Sequence, residues 1–156
     1  QPSSSRAQWF ACAQVAGSPE AAWRLIRAGE FDLADELIVE MPAANPAEIC
    51  GSGDAARAAH LVAETANTVQ IEVLAPDGGW LLLADTYFPG WVAHVDGVRQ
   101  PVYPAQGLLR AVQLPAGAQT VEFIYQPISF YVGVALTLLG LALTRRAPGR
   151  LRPPRP

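Results

Sequence analysis

The sequence predicts a mainly β protein: an extracytoplasmic β-sandwich of jelly-roll or immunoglobulin-like type, with one short α-helix and a C-terminal transmembrane helix. Three observations carry the prediction: short apolar runs separated by turn residues, one segment with helix start and stop signals, and an uncharged terminal stretch. We expect the sandwich over residues 1–126, the transmembrane helix over 127–145 and a cytoplasmic Arg/Pro-rich tail over 146–156. With 156 residues, 51% of them hydrophobic, the chain can bury one core.

The first third of the chain holds few elements. We expect a strand over 8–15, a helix that follows the cap Ser18 and ends at Gly29, and a short strand over 37–39. The helix places Trp23 and Ile26 on one face. Residues 41–59, rich in Pro, Gly and Ala, are predicted to be a connecting segment.

From His60 to Tyr125 the pattern is entirely β. Residues 68–74 alternate between apolar and polar, which is typical of a half-buried strand, and 80–84 are apolar on both faces, which is typical of a central strand. Further strands are predicted over 91–95, 98–103, 108–114 and 120–125, separated by turn residues. Many short strands at this spacing predict a sandwich.

The stretch DTYFPGWVAHVDG combines two turn signals. Pro89 and Gly90 suit a turn whose second central residue has positive φ, and Asp96 and Gly97 suit a type I′ hairpin. Trp91 shares its strand face with small apolar residues, which favours burial over an exposed sugar-stacking role. We therefore assign a structural role to Pro89, Gly90, Trp91, Asp96 and Gly97.

Asp85 ends an otherwise apolar strand, where an unpaired carboxylate would be costly. Arg110 is its predicted partner, in an ion pair that pins two strands. A second interpretation stays open: Asp85, Tyr87, Phe88 and Arg110 form a ligand-binding or interface site, because residues beside a tight turn are held rigidly by the sheet.

The charge of the chain is divided unevenly. Five of the eleven basic residues lie in the last twelve positions, and the other 144 residues carry six arginines against fourteen acids, which excludes a nucleic-acid partner. Residues 128–144 carry no charge, have aromatic residues at one end and arginines at the other, and so predict a membrane span with a cytoplasmic C-terminus. Gly133 and Gly140 offer a flat face for upstream transmembrane helices.

Neither a metal nor a cofactor is expected, since His60 and His94 are isolated in the sequence and no metal-ligand spacing is present. Two interpretations of Cys12 and Cys50 stay open: they form a disulfide in an oxidising compartment, or they are two small buried side chains. The N-terminus lacks the features of a signal peptide, so we expect a fragment whose export is arranged upstream.

Two segments of the sequence resemble those of a known protein family. The run DTYFPGWVAHVDG, followed by PVYPAQGLLRAVQLPAG and TVEFIYQP before the apolar helix, resembles the C-terminal end of the YfhO family of bacterial multi-spanning membrane proteins. The upstream run from Arg6 to Glu40 resembles the preceding segment of that family, so the likeness extends to about Leu143. The sequence departs from the family at Pro104 and Gln126, where a basic residue is common.

The resemblance implies a bacterial cell-membrane protein similar to glycosyltransferases that use lipid-phosphate sugar donors and glycosylate cell-surface polymers. In such enzymes the catalytic acids come from an external loop near the start of the chain, so no catalytic residue is expected here. The expected partners are the membrane, upstream helices of the same protein and a glycan or lipid-linked sugar. The alternative is a membrane-anchored carbohydrate-binding or structural β-sandwich module. A hydrolase is disfavoured because no nucleophile motif is present.

Overall fold

The computed structural model describes residues 6–29, 36–41, 47–50 and 59–146, with the backbone alone described for 47–50 and 146. The chain divides into two compact units at Gln126/Pro127. The elements of the first unit are β1 (Ala7–Phe10), β2 (Cys12–Ala16), α1 (Pro19–Ala28), β3 (Leu37–Glu40), β4 (Ala47–Cys50), β5 (Ala59–Glu64), β6 (Thr68–Ala75), β7 (Gly79–Thr86), β8 (Trp91–Val95), β9 (Val98–Gln100), β10 (Val102–Ala105), β11 (Leu109–Leu114) and β12 (Ala118–Tyr125). The second unit contains α2 (Ile128–Arg146).

The strands form two sheets, which confirms the mainly β prediction. The seven-stranded sheet has the order β1-β7-β11-β10-β3-β2-β4, and the five-stranded sheet has the order β5-β6-β12-β8-β9. All pairs are antiparallel except β2 with β3. Antiparallel sheets of this kind commonly have one face on the core and one in solvent.

The main core lies between the two sheets. One cluster of buried side chains takes Trp9, Leu81 and Val112 from the seven-stranded sheet and Ile71 and Phe123 from the five-stranded sheet. Each such side chain contributes about 1.5–3 kcal/mol when it is fully buried. The face-to-face contact of two apolar sheet surfaces therefore supplies most of the driving force for folding of the first unit.

Two strand patterns that the sequence predicted are present. Strand β6 alternates between buried and exposed residues along its length. Strand β7 lies between β1 and β11 and sends Leu81 and Leu83 into the main core, while Trp80 and Leu82 pack in a second cluster on its other face. Trp80 is completely buried, so it is not available to stack on a sugar ring.

Three parts of the strand prediction were wrong. Residues 8–15 form two strands, because the chain bends at Ala11 and sends β1 and β2 to the first and sixth positions of one sheet. The Cα atoms of Phe10 and Cys12 lie within about 8 Å of each other, whereas five strand spacings cover about 24 Å in a flat sheet, so this sheet curls back on itself.

The predicted strand over 98–103 is likewise two strands. The chain leaves the five-stranded sheet after Gln100 and enters the seven-stranded sheet at Val102, and Pro101, which has no N–H to donate, lies at the crossing. The predicted connecting segment over 41–59 contains the four-residue strand β4. The proline and glycine residues on either side of β4 in the sequence favoured the prediction of a connecting segment.

Helix α1 begins and ends where the sequence predicts. The Ser18 side chain accepts a hydrogen bond from the Ala21 N–H at 3.2 Å, and Gly29 closes the helix in the left-handed conformation at φ 68°. The buried residue of the helix is Ala22, whereas Trp23 is 43% exposed. The Trp23 ring lies over Gly107, where any side chain would meet it.

Helix α2 contains one candidate membrane span, Ile128–Arg145, with a mean hydropathy of 1.6 and no buried residue. Its apolar side chains, including Leu136 and Leu141, are exposed. A bare apolar helix of this length has the dimensions needed to cross a bilayer. The boundaries predicted for the span and for the tail remain predictions.

Candidate functional site

Four charged side chains meet at one end of the first unit, and we call them the ion-pair cluster: Arg6, Glu64, Asp85 and Arg110. Arg6 donates to both Asp85 oxygens at 2.7 and 2.8 Å and to both Glu64 oxygens at 2.7 and 2.9 Å. Arg110 donates from Nη2 to Asp85 at 2.5 Å. The ion pair that the sequence predicted between Asp85 and Arg110 is therefore present, but Asp85 also has a second cationic partner.

The strand registers explain how distant residues reach this cluster. Arg110 of β11 pairs with Leu83 of β7 at an irregularity in the register, two residues before Asp85. Residues two apart on a strand share a face. Arg6 precedes β1, and its carbonyl oxygen accepts the Ala84 N–H at 2.7 Å. Glu64 ends β5 of the other sheet, so the cluster connects both sheets.

Arg110 is the buried member of the cluster. It is 2% exposed, and its guanidinium carbon lies 3.8 Å from the centre of the Trp91 ring and 5.5 Å from that of Phe123. Its Nε has no hydrogen-bond acceptor among the described residues. The nearby aromatic faces attract the cation and offset part of its desolvation. Trp91 is half-buried and packs against the main core, consistent with its predicted structural role.

The electrostatics of the cluster favour ionised carboxylates. The hydrogen bonds from Arg6, together with the charge of Arg110, lower the pKa of Asp85, and those from Arg6 lower the pKa of Glu64. The two carboxylates raise the pKa of Arg6, whereas burial lowers the pKa of Arg110. Opposite charges within hydrogen-bond distance stabilise one another in their charged forms.

Tyr87 and Phe88 continue from Asp85 toward the end of the unit. The Tyr87 N–H donates to the Leu108 carbonyl oxygen at 2.8 Å, and its side chain is half-buried. Phe88 is 59% exposed, and its ring centre lies 6.4 Å from that of Tyr125. Tyr125 in turn lies 5.2 Å from Trp91. The predicted set thus divides into an ion pair, Asp85 with Arg110, and two aromatic side chains, the half-buried Tyr87 and the exposed Phe88.

The two predicted turns have the predicted backbone. Gly90 has φ 109° in a turn in which the Trp91 N–H faces the Phe88 carbonyl oxygen at 3.4 Å. Asp96 and Gly97 both have positive φ, at 48° and 80°, as a type I′ turn requires. The sequence did not reveal that the Asp96 carboxylate also accepts the Thr120 N–H at 2.8 Å, which ties the hairpin to β12 and lowers the pKa of Asp96.

Sequence reasoning missed a polar groove on the outer face of the five-stranded sheet. The groove has a volume of about 290 Å³, and its polar lining includes Gln70, Glu72, His94, Thr120 and Glu122. Glu122 faces His94 on one neighbouring strand and accepts a 3.2 Å hydrogen bond from Gln70 on the other. Alternation on adjacent strands could have placed these residues on one face, but the pairing order was needed to bring them together.

The two cysteines lie on paired strands. Cys12 of β2 is opposite Cys50 of β4 in the register, and no cysteine among the described residues is free. Directly opposed residues of antiparallel strands lie within the Cα separation that a disulfide requires. No group of His, Cys, Asp or Glu side chains that could hold a metal ion occurs in the described ranges.

Comparison with known proteins identifies one family. The family described as bacterial membrane protein YfhO matches residues 54–137, which is more than half of the chain and includes β5 to β12 and the first part of α2. The upstream likeness predicted from Arg6 lies outside this match and stays a prediction. No curated protein and no solved structure matches the chain. A family match that runs from the five-stranded sheet into an apolar helix leads to one conclusion: this chain belongs to the YfhO family of bacterial membrane proteins.

Proposed function

We propose that this chain is a non-catalytic, extracytoplasmic domain of a larger glycosyltransferase-like membrane protein that glycosylates cell-surface polymers. Membership of the YfhO family and the apolar helix α2 support the membrane setting. The upstream transmembrane helices and the lipid-linked sugar are parts of this proposal. The domain acts as a rigid scaffold beside the catalytic part of that protein.

The ion-pair cluster is the observation that carries the non-catalytic role. A general acid needs a carboxyl whose pKa is raised toward neutrality. The pKa of Asp85 and that of Glu64 are both lowered, and both carboxylates are held by arginines. Such a network fixes β5, β7 and β11 and the residue before β1 relative to one another, rather than exchanging protons with a substrate.

The charge distribution and the cysteines support the proposed extracytoplasmic placement. The arginines after α2 favour a cytoplasmic C-terminus, which places the β unit on the opposite side of the membrane. The opposed Cys12 and Cys50 form a disulfide in this proposal, and disulfides persist in oxidising compartments outside the cytoplasm. The two arguments are independent and give the same orientation.

Cysteine labelling in whole cells tests the orientation. Arg99→Cys lies on exposed β9, and Arg145→Cys lies at the far end of α2. A membrane-impermeant maleimide should label the first variant in intact cells and the second only after lysis. The unsubstituted protein is the background control. Labelling in the reverse order would disprove the extracytoplasmic placement.

Carboxylate neutralisation in the full-length protein tests the non-catalytic role. Glu64→Gln and Glu122→Gln should each leave polymer glycosylation within about twofold, because removing a general acid or base costs about 10²–10⁴-fold in rate. Folding of each variant is checked by its resistance to limited proteolysis. A folded variant with a hundredfold loss would show that the domain contributes a catalytic group.

The polar groove favours a second candidate function, a membrane-anchored carbohydrate-binding module. Its amide, carboxylate, imidazole and hydroxyl groups supply the donors and acceptors that sugar hydroxyls require. Titration of the detergent-solubilised chain with hexose and N-acetylhexosamine oligosaccharides tests it. Glu122→Ala should weaken binding at least tenfold and the exposed Gln113→Ala should not; absence of binding, or equal binding by both variants, would exclude this function.

A further inference from the structure

Two exposed apolar side chains lie at the end of the β unit that carries the ion-pair cluster. Phe88 is 59% exposed and Leu108 is 58% exposed. Their chain segments are joined by the hydrogen bond from Tyr87 N–H to the Leu108 carbonyl. We call this exposed pair, with the adjacent Trp91 and Tyr125 rings, the aromatic rim. Water-exposed apolar tips on neighbouring loops are a feature of surfaces that contact a partner.

The covalent connection between the two units is short. The Gln126 N–H still donates to the Gly90 carbonyl at 2.7 Å, so the β pairing continues to the last residue of the first unit. Pro127 alone separates Gln126 from Ile128, the first residue of α2. Two virtual bonds of 3.8 Å place the Gln126 and Ile128 Cα atoms within about 8 Å of each other in any arrangement of the units.

The chemistry of the rim matches the headgroup layer of a bilayer. Tryptophan and tyrosine favour this layer because one part of each ring system is apolar and another forms hydrogen bonds. The layer is several ångströms deep on each side of the hydrocarbon core. Phe130 and Tyr131 lie in the first turn of α2, at the end of the helix that follows the β unit.

The charges near the rim are balanced. Arg6 and Arg110 offset Glu64 and Asp85, and all four are paired with one another. The cluster therefore offers no net attraction for anionic lipids, and contact must depend on the apolar side chains.

We propose that the aromatic rim, led by Phe88 and Leu108, inserts into the headgroup layer of the membrane that α2 crosses. The β unit is then held against the bilayer at two places, by its covalent connection and by the rim. This inference requires that α2 spans the membrane and is independent of the glycosylation proposed above.

Spin labels on the full chain in phosphatidylcholine vesicles test the insertion. The label is attached to Phe88→Cys and, in a separate sample, to Leu108→Cys. Val98→Cys is the matched control, because it is a similarly exposed apolar residue (62%) at the start of β9, where it pairs with Val95 at the far end of β8. Collisions with oxygen, which is concentrated in lipid, and with a water-soluble nickel chelate are measured at each site.

We expect the labels at 88 and 108 to collide at least threefold more with oxygen relative to the nickel chelate than the label at 98. The ratio should not change when anionic lipid or salt is added. Equal ratios at 88, 108 and 98 would show that the rim faces water and would overturn the proposal. Low collision rates with both reagents would also overturn it, because they indicate that protein covers the rim.

Discussion

Asp85 accepts hydrogen bonds from two arginines of opposite character: Arg110 is buried, and Arg6 is exposed. The two arginines are not equivalent, because Asp85 keeps a bidentate partner if Arg110 is lost. Arg110, by contrast, has Asp85 as its carboxylate partner within the described cluster. Loss of Asp85 and loss of Arg110 should therefore lower the stability of the unit by different amounts.

Removal of the Asp85 charge should cost more than removal of the Arg110 charge. Asp85→Asn leaves a buried guanidinium without a counter-charge, which destabilises by about 3–5 kcal/mol. Arg110→Met removes the buried charge and keeps apolar contact with Trp91, so we expect a loss of about 1 kcal/mol or less. Denaturant unfolding of the full chain in detergent, followed by tryptophan fluorescence, measures both. The exposed Arg99→Met is the control, and a larger loss for Arg110→Met than for Asp85→Asn would contradict the asymmetry.

Acidification should weaken the β unit through the same cluster. The folded pKa values of Asp85 and Glu64 lie below their ordinary values of 3.8 and 4.5. Their stabilisation is therefore complete above the ordinary values and is lost as the pH falls below about 4.5 through the lowered ones. The free energy of unfolding, measured from pH 6 to pH 2.5, should decline more steeply in the unmodified chain than in Asp85→Asn. Parallel declines would show that other groups control acid unfolding.

Glu40 should have the opposite pH dependence. Burial at the end of β3, with a smaller effect of the Glu20 charge, raises the pKa of Glu40 above its ordinary value of 4.5. Stability is therefore lost as the pH rises from that value through the raised folded pKa. Glu40→Gln, which is neutral at all pH values, should make the chain more stable at pH 8 and should bring little change at pH 4. Unfolding at both pH values checks this, and equal effects would exclude a raised pKa.

Gly107 should be less tolerant of a side chain than Gly117. Both have positive φ, at 77° and 83°, so alanine strains the backbone at either position by about 1 kcal/mol. At Gly107 an added Cβ would also lie 2.8 Å from the Trp23 ring, whereas at Gly117 it meets nothing within 4 Å. Gly107→Ala should therefore be the more destabilising change in thermal unfolding. The additional destabilisation at Gly107 should disappear in a Trp23→Ala background. If it persists there, a contact other than the Trp23 ring causes it.

The disulfide proposed between Cys12 and Cys50 can be checked by thiol labelling. Cys12 and Cys50 of the protein purified from membranes should react with maleimide only after reduction, because the pair is opposed across β2 and β4. Loss of a native disulfide costs about 2–4 kcal/mol, so reduction should lower the unfolding midpoint. Cys12→Ser should unfold at the reduced midpoint. Labelling of both thiols before reduction would refute the bond.

The prediction of the fold from sequence succeeded where the information was local. The alternation of 68–74, the Ser18 cap, the Asp96–Gly97 hairpin and the uncharged run before Arg145 each depend on neighbours in the chain. It failed at 8–15 and at 98–103, since a single residue moves the chain to a distant position in the same sheet at Ala11 and to the other sheet at Pro101, and leaves the apolar pattern intact. Hydropathy indicates which side chains are buried. It does not indicate which sheet a strand joins or where in the sheet it lies, because both sheets bury one face.

The sequence by itself determined the mainly β class, the turns, the apolar terminal helix and the pairing of Asp85 with an arginine. Only the tertiary structure decided that Arg6 and Glu64 join that pair, because Arg6 precedes a strand of one sheet and Glu64 ends a strand of the other. It likewise decided that Phe88 stays exposed while Trp80, five residues from Asp85 and equally aromatic, is buried. The physical reason is that side-chain type sets the cost of exposure, whereas the order in which strands pair sets which side chains are covered.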